Sequence, residues 1–129
     1  YAALKAGSGI VRLLHPKGME PELAAAPYEI VRQSYEEGNI EPILKEMNRA
    51  GAIFVGPGIG TSPATIDLIK NLMPKAHKRC VIDAEAMTIL SSNSIPFPPD
   101  TILTPHHGEM KRVLNITEEI PFTKLLELS

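Results

Sequence analysis

Tryptophan is absent from this sequence, and tyrosine and phenylalanine supply only three residues each. A core built from it has to be aliphatic and rich in alanine. Cysteine occurs once, at Cys80, which excludes an internal disulfide and suits a reducing compartment, so a cytoplasmic location is expected. Cys80 opens an apolar run and reads as a buried structural thiol rather than a nucleophile. No apolar stretch approaches the roughly 20 residues that span a bilayer. The formal net charge is -2, which makes no electrostatic case for nucleic acid or an anionic membrane as partner. CxxC, HExxH, GxSxG and paired-histidine spacings are all missing, which leaves metalloprotease, zinc and α/β-hydrolase readings without footing. No metal ligand set is assigned. No internal repeat, heptad or low-complexity tract is present.

What is there fits one domain with a real core: 129 residues, 43% hydrophobic and 22% charged. The organising stretch is residues 52–60, Ala-Ile-Phe-Val-Gly-Pro-Gly-Ile-Gly. Ala52, Ile53, Phe54 and Val55 read as a buried parallel strand that delivers a glycine-rich turn to a helix beginning at Ser62-Pro63. Gly56, Gly58 and Gly60 lack a Cβ, so a ligand can approach the backbone closely. The unpaired amides that open a helix favour anions. A turn that binds nothing explains the same residues equally well. The pattern is neither GxGxxG nor a Walker A loop, since no Gly-Lys-Ser/Thr follows.

Taken in order, residues 2–6 read as the tail of a helix stopped by Gly7. Residues 9–14 read as a strand ended by His15-Pro16. Residues 17–27 read as loop with weak helical content, and residues 28–37 fit either a short strand or a helix. Residues 41–49 form an amphipathic helix. Ser62 caps the next helix with Pro63 in its first turn, and Ile66, Ile69 and Met73 form its apolar stripe, flanked by Leu68 and Leu72. Residues 79–83 make a second buried strand with Asp83 at its tip, followed by a helix over 84–90 and a proline-rich loop. Residues 101–104 make a third strand, then a helix covers 110–114, and a last helical pattern runs over 122–129. The first residue is Tyr1 rather than Met, inside a helical pattern, and both ends read as cut, so a fragment is expected. The alternation of strand and helix predicts an α/β fold with a parallel sheet and helices on both faces.

Ligands in such sheets bind beyond the carboxyl ends of the strands. Three strand tips carry residues that pack poorly: the glycines from Gly56 to Gly60, Asp83, and the stretch from His106 to Glu109. Capping its helix is the favoured role for Asp83, with ligand contact beside it. Glu85 offers a second carboxylate to a cation through water. His106 is either a structural residue or a ligand contact, and His107 is expected to face solvent. Glu109, in the first turn of a helix, complements the helix dipole without any functional role. Asn115-Ile116-Thr117 is a formal glycosylation sequon that nothing else in the sequence supports.

Four blocks carry a resemblance: Ala2-Ala3-Leu4-Lys5-Ala6-Gly7-Ser8-Gly9-Ile10-Val11, Val55-Gly56-Pro57-Gly58-Ile59-Gly60, Ile82-Asp83-Ala84-Glu85-Ala86-Met87, and Ile102-Leu103-Thr104-Pro105-His106-His107-Gly108-Glu109-Met110. In order and spacing they resemble the ADP/ATP-dependent NAD(P)H-hydrate dehydratases of the ribokinase-like superfamily, often described as carbohydrate kinases. The resemblance implies a three-layer αβα sandwich with a mostly parallel sheet, here as a single partial domain over 1–129. It implies repair of NADHX and NADPHX by phosphorylation of the ring hydroxyl, with ADP or ATP as co-substrate and Mg2+ as cofactor, then loss of phosphate. It implies that Gly60 and His106 contact the hydrated nucleotide, that Gly56, Gly58, Asp83 and Glu109 shape the site, and that the protein is a homo-oligomer. The sequence departs from the family at Glu85, where a second Asp is usual, and at His107, where proline is commoner. The glycine-rich turn bearing the expected catalytic base would lie beyond Ser129, so the catalytic residue is unknown. The chain alone is expected to bind substrate weakly, to turn nothing over, and to expose a sheet edge and apolar faces. Two other readings share these residues: a ribokinase-like kinase of a sugar or vitamin alcohol, and a non-catalytic nucleotide-binding fragment.

Overall fold

The computed structural model describes residues 1–116. The helical pattern over 122–129 and the last residue of the sequon, Thr117, lie outside the described residues. The chain divides into two compact units, Tyr1–Ala50 and Gly51–Ser129.

In the first unit, helix α1 (Ala2–Lys5) ends as expected at Gly7, whose φ of +101° suits glycine. Gly7 N–H donates to Leu4 O and Ser8 N–H to Ala3 O, the paired bonds that close a helix on a left-handed glycine. Strand β1 (Arg12–Pro16) pairs in parallel with β2 (Val31–Tyr35), Arg12 against Val31 and Pro16 against Tyr35. The expected strand over 9–14 is therefore shifted, and it runs through His15-Pro16 instead of stopping there. Proline lacks only its own N–H, and at the last pair the ladder continues around it: Lys17 N–H donates to Tyr35 O at 2.8 Å. Pairing with β1 also decides the ambiguous segment 28–37 in favour of a strand. Helix α2 (Glu41–Arg49) has the expected bounds and buries Ile43, Met47 and Glu46. The Glu46 carboxylate is held by Arg12 Nε at 3.2 Å and Arg49 Nη1 at 3.1 Å.

In the second unit, strands β3 (Ala52–Val55), β4 (Arg79–Ile82) and β5 (Thr101–Leu103) lie side by side in that order, all parallel. Their crossovers carry α3 (Pro63–Leu72, extended by a 3-10 turn over Met73–Lys75) and α4 (Ala84–Ser92). Helix α5 (His107–Val113) follows β5. Two right-handed crossovers that step the same way across a sheet put their helices on the same face. That face holds the core: Ile69, Leu72, Met73, Cys80, Ile82, Ala86, Met87, Ile89 and Leu90 are buried, without an aromatic among them. On α3, Leu72 joins the deep stripe and Ile66 is only half-buried, and Ala76, past the end of the helix, is buried as well.

Among the described residues, the strand expected to be buried is covered on one face. Phe54 pairs with Val81 and Val81 with Ile102, so the three share the opposite face, and Phe54 and Ile102 are 66% and 62% exposed. Replacing both by threonine keeps strand-compatible residues in place and is expected to change stability by no more than about 0.5 kcal/mol. Self-association seen by light scattering should fall in the double variant. Equal scattering would show that this row does not drive association.

Cys80 is 1% exposed, its Sγ–H donates to Lys78 O at 3.3 Å, and burial pushes the thiol pKa up. The unfolded chain can ionise this thiol where the folded chain resists, so Cys80 removes stability as pH rises through the ordinary thiol range. Accordingly, a thiol reagent should modify the native chain at pH 8 far more slowly than the urea-unfolded chain. Equal rates would contradict the buried placement.

Candidate functional site at the carboxyl edge of the three-stranded sheet

Register decides where the strand tips fall. Val55 lies beside Ile82, and Ile82 beside Leu103, so the chain leaves all three strands along one edge. The ladder runs one step further on each side: Asp83 N–H donates to Val55 O at 3.1 Å and Thr104 N–H to Ile82 O at 3.3 Å. Gly56, Asp83 and Thr104 therefore stand side by side, and the turns they open carry Gly58 and Gly60, Glu85, and His106 with Glu109.

The three glycines of the turn have positive φ, +138° at Gly56, +72° at Gly58 and +71° at Gly60. They do different work. A Cβ on Gly56 would fall on the carbonyl oxygen of Asp83, so the missing side chain admits the neighbouring backbone rather than a ligand. Gly58 and Gly60 have open space where a Cβ would stand, so ligand approach belongs to them. The turn is pinned from the helix side. Ser62 Oγ accepts Thr65 N–H at 3.1 Å, as its N-cap position predicts, and Thr65 Oγ1 donates to Ile59 O at 3.1 Å. Thr65 is a contributor the sequence did not single out, since nothing in the pattern aims its hydroxyl back six residues.

Asp83 caps α4, its Oδ1 accepting Ala84 N–H at 2.9 Å. The next residue, Ala84, sits at φ +45°, a left-handed conformation that costs a non-glycine residue about 1–2 kcal/mol. Backbone strain of this kind persists where surrounding structure over-determines it. Glu85, in the first turn of α4, carries a buried carboxylate oxygen, Oε2, that receives no hydrogen bond from the described residues.

His106 is the N-cap of α5, so that helix begins at His107, three residues before the sequence reading placed it. The signal was present in Glu109 three residues after His106, the spacing of a capping box. His106 Nδ1 accepts Gly108 N–H at 3.0 Å, and Glu109 Oε2 accepts the His106 backbone N–H at 2.9 Å. Glu109 Oε1 lies 3.4 Å from His106 Nε2. The Glu109 carboxylate is thus a capping partner and not only a complement to the helix dipole. The imidazole is 66% exposed and His107 is exposed beside it. Arg112 Nη1 donates to Thr88 Oγ1 at 3.3 Å and ties α5 to α4.

Two cavities are lined by other residues. One of about 270 Å³ in the second unit is walled by Met73, Pro74, Phe97 and Pro98, before the amino ends of β4 and β5. Another of about 320 Å³ in the first unit is lined by His15, Glu20, Leu23, Arg32 and Ser34. Among the described residues no helix is long and apolar enough to cross a membrane.

Comparison with known proteins adds a family to this geometry. The family model described as NAD(P)H-hydrate dehydratase matches residues 1–125. A bifunctional NAD(P)H-hydrate repair enzyme of Moorella thermoacetica is 35% identical over 127 residues, covering 90% of this chain and 24% of that protein. An ADP-dependent (S)-NAD(P)H-hydrate dehydratase of Streptococcus pneumoniae is 31% identical over 122 residues, covering 92% of this chain and 41% of that protein. Among solved structures, a ribokinase-like superfamily protein of Enterococcus faecalis aligns with a TM-score of 0.76 at 21% identity, covering 87% of this chain and 40% of that one. A Streptococcus mutans protein aligns with a TM-score of 0.80 at 21% identity, covering 98% and 47%. At that identity the likeness establishes the fold, an α/β ribokinase-like architecture with parallel sheets. The chain spans 24% of the length of the Moorella relative and 41% of the Streptococcus one.

Proposed function

The chain belongs to the NAD(P)H-hydrate dehydratase family, and from that membership we propose that its second unit supplies the substrate-facing edge of an enzyme restoring NADH and NADPH from NADHX and NADPHX. ADP or ATP is the phosphoryl donor in this reading. The observation that carries it is the register of β3, β4 and β5, which aligns Gly56, Asp83 and Thr104 and so gathers the turns holding Gly60 and His106. Gly58 and Gly60 offer bare backbone against which a dinucleotide can lie. His106 contacts the hydrated nucleotide, while Gly56, Asp83 and Glu109 hold the turns that present it.

The chemistry asked of the whole domain is phosphorylation of the ring hydroxyl followed by loss of phosphate. Charge builds on the transferred phosphoryl group, so positioning and electrostatic stabilisation carry the acceleration. No residue of this chain is assigned as the base. Among the described residues no group of three or more side chains is placed to hold a metal ion. The Oε2 of Glu85, buried and without a partner among the described residues, is a hard oxygen donor near the same edge. One such carboxylate suits Mg2+, which takes one or two carboxylates and leaves its other positions to phosphates and water. Bound there, the ion would supply charge stabilisation to the phosphoryl group. A homo-oligomer in the cytoplasm completes the reading.

The test is to titrate the chain with NADHX while observing ligand NMR signals, then to add ADP or ATP with Mg2+ and follow near-ultraviolet absorbance. Weak saturable binding without turnover is expected, in keeping with the fraction of its relatives that the chain spans. Absence of binding would overturn the proposal, and a stable phosphoester among the products would favour the small-molecule kinase reading.

A further inference from the structure

The cap at the start of α5 also fixes the chemistry of the His106 ring. Neutral imidazole has one nitrogen that donates and one that accepts. Nδ1 receives the Gly108 N–H at 3.0 Å, so Nδ1 presents its lone pair and the proton sits on Nε2. Gly108 permits this approach, since a Cβ there would meet His106 Cε1 at 3.1 Å and Nδ1 at 3.4 Å. Glu109 stands on the other side, near enough for its charge to favour a proton on Nε2 but not hydrogen-bonded to the ring, which leaves the Nε2–H for a ligand. It is 9% exposed, its Oε2 accepts the His106 backbone N–H at 2.9 Å, and its Oε1 stands 3.4 Å from Nε2.

We propose that Glu109 is a positioning residue which, together with the Gly108 amide, locks His106 as an Nε2–H donor. The exposed ring then gives a hydrogen to its ligand and takes none from it. The group it meets is an acceptor oxygen, of an amide or a phosphate, and His106 does not serve as a base towards a ligand hydroxyl. The ligand half of this statement rests on the proposed function. The tautomer is a property of the chain alone.

Long-range proton–nitrogen NMR on the uniformly labelled full chain near neutral pH tests the tautomer. The expected spectrum shows Nε2 protonated and Nδ1 bare at His106, with His107, exposed one residue on, as the averaged reference. A proton on Nδ1 would overturn the proposal. In Glu109→Ala the His106 signals should move towards those of His107, and an unchanged spectrum would remove Glu109 from the mechanism. His106→Asn separates capping from recognition, because asparagine also accepts the Gly108 N–H but lacks the ring donor. It should keep the thermal midpoint of the wild type and bind NADHX about tenfold more weakly, the usual loss for one hydrogen bond. Unchanged NADHX affinity in His106→Asn would overturn the donor role. Failure of the wild-type chain to bind NADHX would overturn the ligand half and the functional reading together, whereas the tautomer is decided without ligand. Binding of ADP-ribose, which has the pyrophosphate but no ring amide, with the same tenfold loss in His106→Asn would assign the acceptor to phosphate. A loss confined to NADHX would assign it to the amide.

Discussion

Gly56→Ala is expected to remove most of the stability of the second unit. The new methyl group would stand on the Asp83 carbonyl oxygen, which belongs to the backbone of the central strand's exit and has no free rotation to yield. Alanine is also strained at the φ of +138° that this position holds. Strain of that kind costs about 1–3 kcal/mol, and forcing packed elements apart adds about 1–3 kcal/mol more. A short unit with an aliphatic core sits near the low end of domain stability, about 5 kcal/mol, so most of that margin goes. Urea denaturation followed by circular dichroism measures it, with Gly58→Ala as control. Gly58 has open space at its Cβ position and a φ of +72°, so the control should lose only the left-handed penalty of about 1–2 kcal/mol. Equal losses in the two variants would mean that contact between Gly56 and Asp83 does not hold the strand tips together.

Ile82→Ala is the second large effect. Ile82 is fully buried, lies between Val55 and Leu103 on the two neighbouring strands, and immediately precedes Asp83. Removing three carbons from such a site costs about 2–5 kcal/mol, the spread reflecting how far the surroundings collapse. Ile82→Val, which removes one carbon and keeps the branched shape, should cost about 0.5–1.5 kcal/mol. Because the residue supports the edge from below, NADHX affinity should fall in the alanine variant even at temperatures where it stays folded. An alanine variant as stable as the valine one would show that the sheet has more room than the buried face indicates.

Much of the second unit was legible in the sequence because its signals are local. Ser62-Pro63 states a helix start that the structure reproduces bond for bond, and the bounds of β3 follow from four apolar residues that stop at a glycine. The start of α5 lies three residues before the apolar pattern places it although Glu109 advertises the cap, because that pattern begins later than the capped turn. The first unit was less legible. Proline reads as a terminator, yet Pro16 is the last pair of β1, a place where the missing donor does no harm.

Composition and local pattern by themselves determined an aliphatic core, a parallel βα order, the cap at Ser62 and the three sets of residues that pack poorly at strand tips. Each depends on contacts between residues close in the chain, or on counts. Only the tertiary structure decided what those residues face. Register between strands dozens of residues apart turned Gly56 into a seat for the Asp83 carbonyl and left Gly58 and Gly60 open. It also left Phe54 and Ile102 exposed on a face that apolarity alone would bury, and it set the capped start of α5 on the same edge as the turns that follow β3 and β4. Long-range pairing is set by the whole fold, and neither spacing nor composition encodes it in any single stretch.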